Sequence, residues 1–132
     1  MISFKRLNHV HISVPPERLD EARIFYTNII GLSPTNRPDE VFDTTGYWFT
    51  ITDIELHIGT EQAQPRSIRH YAFEVDDLAA ARKHLENNGV ELMEEPVIPG
   101  RIRFSFIDPF GNRVELLQLD LDPIAMHMNT SG

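Results

Sequence analysis

The stretch "HVHISVPPERLDEARIFYTNIIGL" (residues 9–32) recurs in diverged form as "HYAFEVDDLAAARKHLENNGVEL" (residues 70–92). In both stretches an apolar run that opens on a histidine leads into apolar residues at helical spacing and then a glycine. Further along, Glu55 in "DIELHI" aligns with Glu115 in "NRVELLQ". The aligned histidines and the aligned glutamates are separated by nearly the same distance, about 60 residues, so we interpret the chain as two copies of one module.

Each copy is predicted to form a strand, a helix and three more strands. Apolar residues recur every second position in the strands and about every 3.6 positions in the helix, and Gly or Pro lies at the junctions. This predicts an α+β fold of two βαβββ modules in tandem, the first at about 5–58 and the second at about 68–119. A polar linker (59–67) joins them, and we assign no element to the tail (120–132). The predicted elements are a strand at 7–14, a helix at 17–30, short strands within 40–58 around "YWFTI" and "IELHI", a strand at 68–75, a helix at 77–88, strands near 90–94, 101–107 and 113–119, and turns at Thr44-Thr45-Gly46, Thr52-Asp53 and "DPFGN" (108–112).

Composition narrows the function classes. With 132 residues and 41% hydrophobic content the chain is long enough to bury a core. It has no cysteine, which excludes disulfides, thiolate metal sites and a cysteine nucleophile. A net charge of −8 makes nucleic acid and anionic membranes poor partners. The start, "MISFKRLNHV", is unlike a signal peptide and no apolar run is long enough to span a membrane, so we expect a cytoplasmic protein.

The repeated histidines and glutamates predict a metal site. If a pseudo-twofold axis relates the copies, His9 approaches His70 and Glu55 approaches Glu115. Two imidazoles and two carboxylates suit one divalent transition ion such as Ni²⁺, Zn²⁺, Mn²⁺, Fe²⁺ or Co²⁺. Alternatively, each histidine is a hydrogen-bonded structural residue, and Glu115 pairs with an arginine such as Arg113 on an edge strand.

Other side chains are candidates for substrate contact. Residues i and i+2 of a strand share a face, so His11 lies beside His9, and His57 lies beside Glu55. We expect these two histidines to line a pocket, or His57 to replace Glu55 as a ligand, or both to be core residues. Trp48 or Tyr47 could shape the pocket. Arg101 and Arg103, in "PGRIRF", are interpreted as solvated edge-strand residues or, alternatively, as ligands for an anionic substrate, whereas His84 is expected to be solvated and His127 to lie in a mobile tail.

Over residues 5–119 the chain resembles the vicinal oxygen chelate superfamily, also called the glyoxalase, bleomycin resistance and extradiol dioxygenase superfamily. The resemblance lies in "LNHVHISV", "FYTNIIGL", "RHYAFEV" and "FIDPFGNRVELLQ". It implies paired βαβββ modules whose sheets curl into a cup, with helices outside, around one divalent ion. The ligands would come from the first and last strand of each module, which places them at His9, Glu55, His70 and Glu115.

This ligand set resembles that of bacterial glyoxalase I enzymes, which isomerise the hemithioacetal of methylglyoxal and glutathione. Without Glu55 the set is similar to those of fosfomycin resistance thiol transferases and extradiol dioxygenases. A third class in the superfamily binds drugs without a metal, as bleomycin resistance proteins do. The region 33–50 and "ELHIGTEQ" do not match a glutathione site. The resemblance also implies a homodimer, with each site inside one chain or shared between two.

The chemistry that the resemblance implies is stabilisation of an enediolate-like anion by an ion that holds two adjacent substrate oxygens. We assign the general base to Glu115, with Glu55 as the second candidate. His9 and His70 would remain ligands throughout. The small-molecule substrate would contact His11, His57, Trp48 and Arg103.

Overall fold

The chain divides into two compact units, residues 1–64 and 65–132, in a computed structural model that describes residues 1–38 and 46–119. The predicted turn residues Thr44 and Thr45, the tail from 120 to 132 and His127 therefore lie outside the described residues. Within the described ranges, no helix is both long and apolar enough to cross a membrane.

The first unit has one mixed four-stranded sheet in the order β1-β4-β3-β2. Strand β1 runs parallel to β4, and the other pairs are antiparallel. The predicted helix is present but has three parts, since a 3-10 turn precedes its α-helical segment and a π-helical turn ends it. The elements are β1 (His9–Val14), a 3-10 turn (Pro16–Arg18), α1 (Leu19–Ile24), a π-helical turn (Phe25–Ile29), β2 (Ser33–Thr35), β3 (Tyr47–Ile51) and β4 (Ile54–Thr60).

The second unit repeats this architecture, with the strand order β5-β8-β7-β6 and β5 parallel to β8. The helix that follows its first strand begins with a capping hydrogen bond, in which the Asp77 carboxylate accepts from the backbone N–H of Ala80 at 3.0 Å. The predicted βαβββ pattern is thus confirmed in both halves. The elements are β5 (His70–Glu74), α2 (Leu78–Asn87), β6 (Glu91–Glu94), β7 (Arg101–Ile107) and β8 (Arg113–Leu119).

Three details differ from the sequence-based expectation. Strand β2 precedes the predicted 40–58 region, and β4 continues through Gly59 and Thr60, which belong to the linker in the sequence-based prediction. Strands β7 and β8 are interior strands of their sheet. The edge-strand interpretation of Arg101 and Arg103 is therefore wrong, and so is the edge-strand environment suggested for Glu115.

Each sheet has an apolar face and a polar face, as the two-residue period of a strand requires. In the first unit Tyr26 packs near Phe49, with ring centroids 6.4 Å apart, and both are buried. In the second, α2 lies against β6 and β8, and Leu85 and Phe104 are buried. The candidate histidines and glutamates occupy alternate positions along the strands, so they lie on the polar faces.

Candidate metal centre

In the first unit, strand pairing brings His9 and Glu55 together. They are direct partners in the parallel β1–β4 register, and the next residues on the same face, His11 and His57, are partners too. The His57 Nε2 atom is 2.9 Å from Glu55 Oε1, so the imidazole N–H donates to the carboxylate. The Glu55 side chain is 36% exposed, which leaves it accessible to a ligand.

Three rings form a stack beside this pair. Trp48 and His57 lie face to face, with centroids 4.0 Å apart and planes 2° apart. On the other side of His57 lies His9, with centroids 4.1 Å apart and planes at 17°. The stack and the Glu55 hydrogen bond restrain His57, whose side chain is only 11% exposed. His57 is thus the residue that connects Trp48, His9 and Glu55.

The stack forms one side of an open cleft of about 690 Å³ in the first unit. His11 also lines it, so the predicted pocket residues His11, His57 and Trp48 border one cleft. Gly59 makes room for His11, since a Cβ there would lie 2.8 Å from His11 Cε1. Partial burial, and then the nearby His57 and His9, lower the pKa of His11 below its usual value, while Glu61 opposes them. Asn8 and Arg37, which sequence reasoning did not single out, line the cleft as well.

In the second unit, His70 and Glu115 also meet, but in a different register. Glu115 lies opposite Ala72, whereas His70 lies opposite Arg113. A two-residue offset keeps both side chains on one face, and His70 Nε2 is 3.4 Å from Glu115 Oε1. The Glu115 side chain is 7% exposed, so it is far more buried than Glu55.

The partner of Glu115 is not the arginine suggested by the sequence. Arg103 Nη1 donates to Glu115 Oε1 at 3.2 Å, while Arg113 pairs with Glu95. Sequence reasoning missed Glu95, because its partners are 10 and 18 residues away and no local pattern connects them. Burial acts to raise the pKa of Glu95, but hydrogen bonds from Ser105 and Arg113 and the nearby Arg103 outweigh it and hold this pKa below its ordinary value.

The donor chemistry fits a divalent ion. His9 Nδ1 lies 2.9 Å from Asn8 Oδ1, and His70 Nδ1 lies 2.9 Å from the carbonyl oxygen of Ile68. Each oxygen is an acceptor, so Nδ1 carries the proton and Nε2 presents its lone pair, as in histidines that ligate metals. In the part of the chain that the structure describes, no three His, Asp or Glu side chains form a group that could hold an ion. As far as the described residues go, each unit by itself therefore offers a His and Glu pair rather than a complete site.

Among the described histidines, His84 lies away from these pairs and is exposed on α2, as expected.

Comparison with known proteins gives consistent matches. The family model described as the Glyoxalase/Bleomycin resistance protein/Dioxygenase superfamily matches residues 6–116. A protein of Arabidopsis thaliana named Glyoxylase I 4 is 25% identical over 126 residues, covering 86% of this chain and 72% of its relative. The crystal structure of a glyoxalase family protein from Bacillus anthracis is 33% identical, with a TM-score of 0.82 over 91% of this chain and 99% of the other.

A more distant structural match is a mutant of the fosfomycin resistance protein FosX from Listeria monocytogenes. It is 21% identical and has a TM-score of 0.76 over 96% of this chain and 99% of the other. That FosX structure is complexed with Mn(II) and 1S,2S-dihydroxypropylphosphonic acid. At this level of identity the match shows the fold alone.

Proposed function

The chain belongs to the Glyoxalase/Bleomycin resistance protein/Dioxygenase superfamily, and we propose that it is a divalent-metal-dependent lyase or isomerase of glyoxalase type that acts on a small oxygenated metabolite. One observation carries the proposal: each unit presents an imidazole beside a carboxylate on the polar face of its sheet, His9 with Glu55 and His70 with Glu115. A metabolite conjugated to a thiol is included in this class. The cleft of about 690 Å³ lies within the usual size range of small-molecule sites.

The proposed ligands are His9, Glu55, His70 and Glu115, which together would hold one Ni²⁺, Zn²⁺, Mn²⁺, Fe²⁺ or Co²⁺ ion. The Nε2 lone pairs of both histidines and the exposure of Glu55 support this set. When bound, the ion would supply Lewis-acid stabilisation of negative charge on substrate oxygens. The Mn(II) in the FosX structure is a precedent for divalent ions in this fold.

Glu115 is the proposed general base. Its carboxylate is nearly shielded from water, and Arg103 Nη1 orients one of its oxygens, which holds the proton acceptor in place. Glu55 is the second candidate, since it is more exposed and hydrogen-bonded to His57. His11, His57 and Trp48 would contact the substrate from the first unit, and Arg103 from the second. If Glu115→Gln kept metal and full turnover, Glu115 would not be the base.

Metal content is the direct test of the ligand set. The protein is purified without a chelating tag and measured by elemental mass spectrometry as wild type, His9→Ala and Glu55→Ala. We expect about one ion per chain in the wild type and a loss in both variants, because each removes a ligand. His84→Ala is the matched control, since it deletes an exposed helical imidazole. Hemithioacetal substrates are then assayed first.

A second candidate is an extradiol-type dioxygenase or thiol transferase with three ligands, His9, His70 and Glu115. The hydrogen bond between Glu55 and His57 favours it, because it gives Glu55 a partner other than an ion. Metal retained in Glu55→Ala but lost in His9→Ala would support this class, and dependence on iron and oxygen would identify the dioxygenase. No metal in the wild type after reconstitution would leave a drug-binding module of bleomycin resistance type.

We also propose a homodimer, as is common in the superfamily. Light scattering during size-exclusion chromatography should give twice the mass of the chain. If modules are exchanged between chains, dilution to monomers should release the metal, because His9 and His70 would then belong to different chains. Metal retained by the monomer would place each site within one chain.

A further inference from the structure

Three arginines lie on the polar face of the second sheet, in a chain whose net charge is −8. Arg101 and Arg103 are at alternate positions of β7, and Arg113 is on the neighbouring strand β8. The Nε atoms of all three are buried and have no hydrogen-bond partner in the described ranges. A buried donor without an acceptor is unfavourable, so this face has unused capacity to bind an anion.

Two of these arginines are already paired with carboxylates. Arg113 pairs with Glu95, and Arg103 lies 3.2 Å from Glu115 and 3.8 Å from Glu95. Arg101 differs, because its side chain has no hydrogen bond or ion pair with any residue in 1–38 or 46–119. With respect to the residues that the structure describes, Arg101 is therefore the arginine on this face that has no carboxylate partner and can take a ligand.

A small cavity of about 120 Å³ lies against Arg101 and Arg103. Pro96, Val97 and Ile98 contribute apolar walls, because the turn at Gly100, with φ of 90°, folds this loop back onto β7. The backbone N–H of Arg101 donates to the carbonyl of Ile98 at 3.4 Å, which closes the turn. A guanidinium in a cavity with apolar walls is a suitable site for an oxyanion.

The two acidic residues that line the cavity do not neutralise Arg101. Glu94 is 2.6 Å from Arg82 Nη1, so its charge is compensated by the helix beside it. Glu95 accepts from the Ser105 hydroxyl at 2.6 Å and pairs with Arg113. Both carboxylates have cationic partners, and the positive charge of Arg101 remains uncompensated among the described residues.

Arg103 connects this cavity to Glu115. Its Nη2 donates to the carbonyl oxygen of Pro96, in the cavity wall, at 2.9 Å, while its Nη1 donates to Glu115. Arg103 thus lies between the cavity wall and the Glu115 carboxylate. A small substrate could place an anionic group in the cavity and its reacting carbon near Glu115.

We propose that Arg101, with Arg103 beside it, binds an oxyanion group of the substrate, a carboxylate or a phosphonate, in the cavity beneath residues 96–98. The substrate class is then a small oxygenated anion. The proposal rests on the proposed function only for the position of the reacting end, at Glu115. The anion site itself consists of residues of one unit and needs no metal.

The test is an NMR titration of the full chain, treated with a chelator, with acetate and with methylphosphonate. We expect saturable shifts of the Arg101 Nε–H signal and of the backbone amides of residues 97–101. The ion with the higher affinity identifies the group as carboxylate or phosphonate. Shifts that map elsewhere, or that never saturate, overturn the proposal.

Variants give the second readout. Arg101→Gln should weaken binding about tenfold or more, because a charge-assisted pair is lost. Arg66→Gln is the matched control: it removes an exposed arginine of the same unit, 63% exposed and outside the cavity, and should change the affinity by less than about twofold. Equal affinity in Arg101→Gln and wild type contradicts the proposal. If Arg101→Gln does not fold, Arg101→Lys is tested instead. An anion affinity of this variant equal to that of the wild type would contradict the proposal that the two nitrogens of the guanidinium bind the anion together.

The two proposals fail in different ways. Elemental analysis of Arg101→Gln should give the wild-type metal content, because Arg101 contacts none of the four proposed ligands. Anion binding in a chain that takes up no metal would support the anion site and contradict the metal-dependent function. Metal uptake without anion binding would contradict the anion site and leave the metal-dependent function supported.

Discussion

The fluorescence of Trp48 reports on the first unit, because Trp48 is the only tryptophan in the chain and its ring stacks on His57 with centroids 4.0 Å apart. If an ion binds at His9 and Glu55, a paramagnetic one such as Co²⁺ should quench Trp48 emission, with saturation near one ion per chain. His9→Ala should remove this quenching, whereas His84→Ala should retain it. Quenching that is equal in both variants would mean that the ion binds elsewhere.

Because Gly59 has no side chain, the His11 ring can lie against the backbone of β4. Alanine there would place its Cβ 2.8 Å from the end of the His11 ring. Because the His11 side chain is only partly buried and can rotate away, Gly59→Ala should fold with a stability loss below about 1 kcal/mol but with a displaced His11. The His11 Cε1–H NMR signal should move, and kcat/KM should fall if His11 contacts the substrate. An unmoved His11 signal would show that the backbone adjusts instead.

Among the elements, helix α2 depends on its first residue. The Asp77 carboxylate accepts the Ala80 N–H, so Asp77→Ala should lower the free energy of unfolding by about 1 kcal/mol, measured by urea denaturation. Asp76→Ala is the control, since Asp76 is exposed and does not cap the helix. If both variants lost the same stability, the effect would come from charge rather than from capping.

The loop before β7 should make the second unit sensitive to acid. The pKa of Glu95 is held below its ordinary value of 4.5, so its ionisation stabilises the fold above that pH. This stabilisation is lost as the pH falls through the lower folded-state pKa. Glu95→Gln should cost about 3 kcal/mol near neutral pH, because Arg113 loses its buried partner, and should flatten the acid side of the stability profile. An unchanged profile would contradict this assignment.

Much of the fold could be predicted from the sequence, because the spacing of apolar residues changes clearly between strand-like and helix-like segments. The bounds of β7 and β8 agree with the prediction, and Gly31 and Gly89, with φ of 89° and 70°, follow the helical segments as expected. Strand β2 was missed because it is three residues long and contains Pro34, which has no N–H to donate.

The candidate site was only partly predictable. The repeat marked the two histidines and the two glutamates as equivalent positions, but it predicted that His9 approaches His70 and Glu55 approaches Glu115, not that each histidine lies beside a glutamate of its own unit. The contacts of Arg103 and Glu95 could not be predicted, because they depend on how a loop folds back onto β7. Nor does aligning the two copies reveal that His70 and Glu115 are two residues out of register, since a shift of two residues keeps every side chain on the same face and leaves the apolar pattern unchanged.

For the whole molecule, if one ion is held by ligands from both units as proposed, it should stabilise the folded chain. At a free metal concentration a hundredfold above Kd the gain is about 2.7 kcal/mol, which should raise Tm by several degrees in calorimetry. His9→Ala and His70→Ala should each remove this rise, although they lie in different units. A rise that persists in one of them would restrict the site to a single unit.

The two carboxylates have different neighbours, because Leu117 and Arg103 occupy the positions in the second unit that His57 and Trp48 occupy in the first. Glu55 accepts from an imidazole, whereas Glu115 accepts from a guanidinium. Had the two copies remained identical, both carboxylates would present the same chemistry, and a substrate could be turned over in either of two equivalent orientations. Because different groups lie beside the two carboxylates, the two carboxylates differ as proton donors and acceptors, and the two faces of a planar intermediate between them are not equivalent. On the proposed function, a prochiral substrate should therefore give a single enantiomer, which chromatography on a chiral column would reveal.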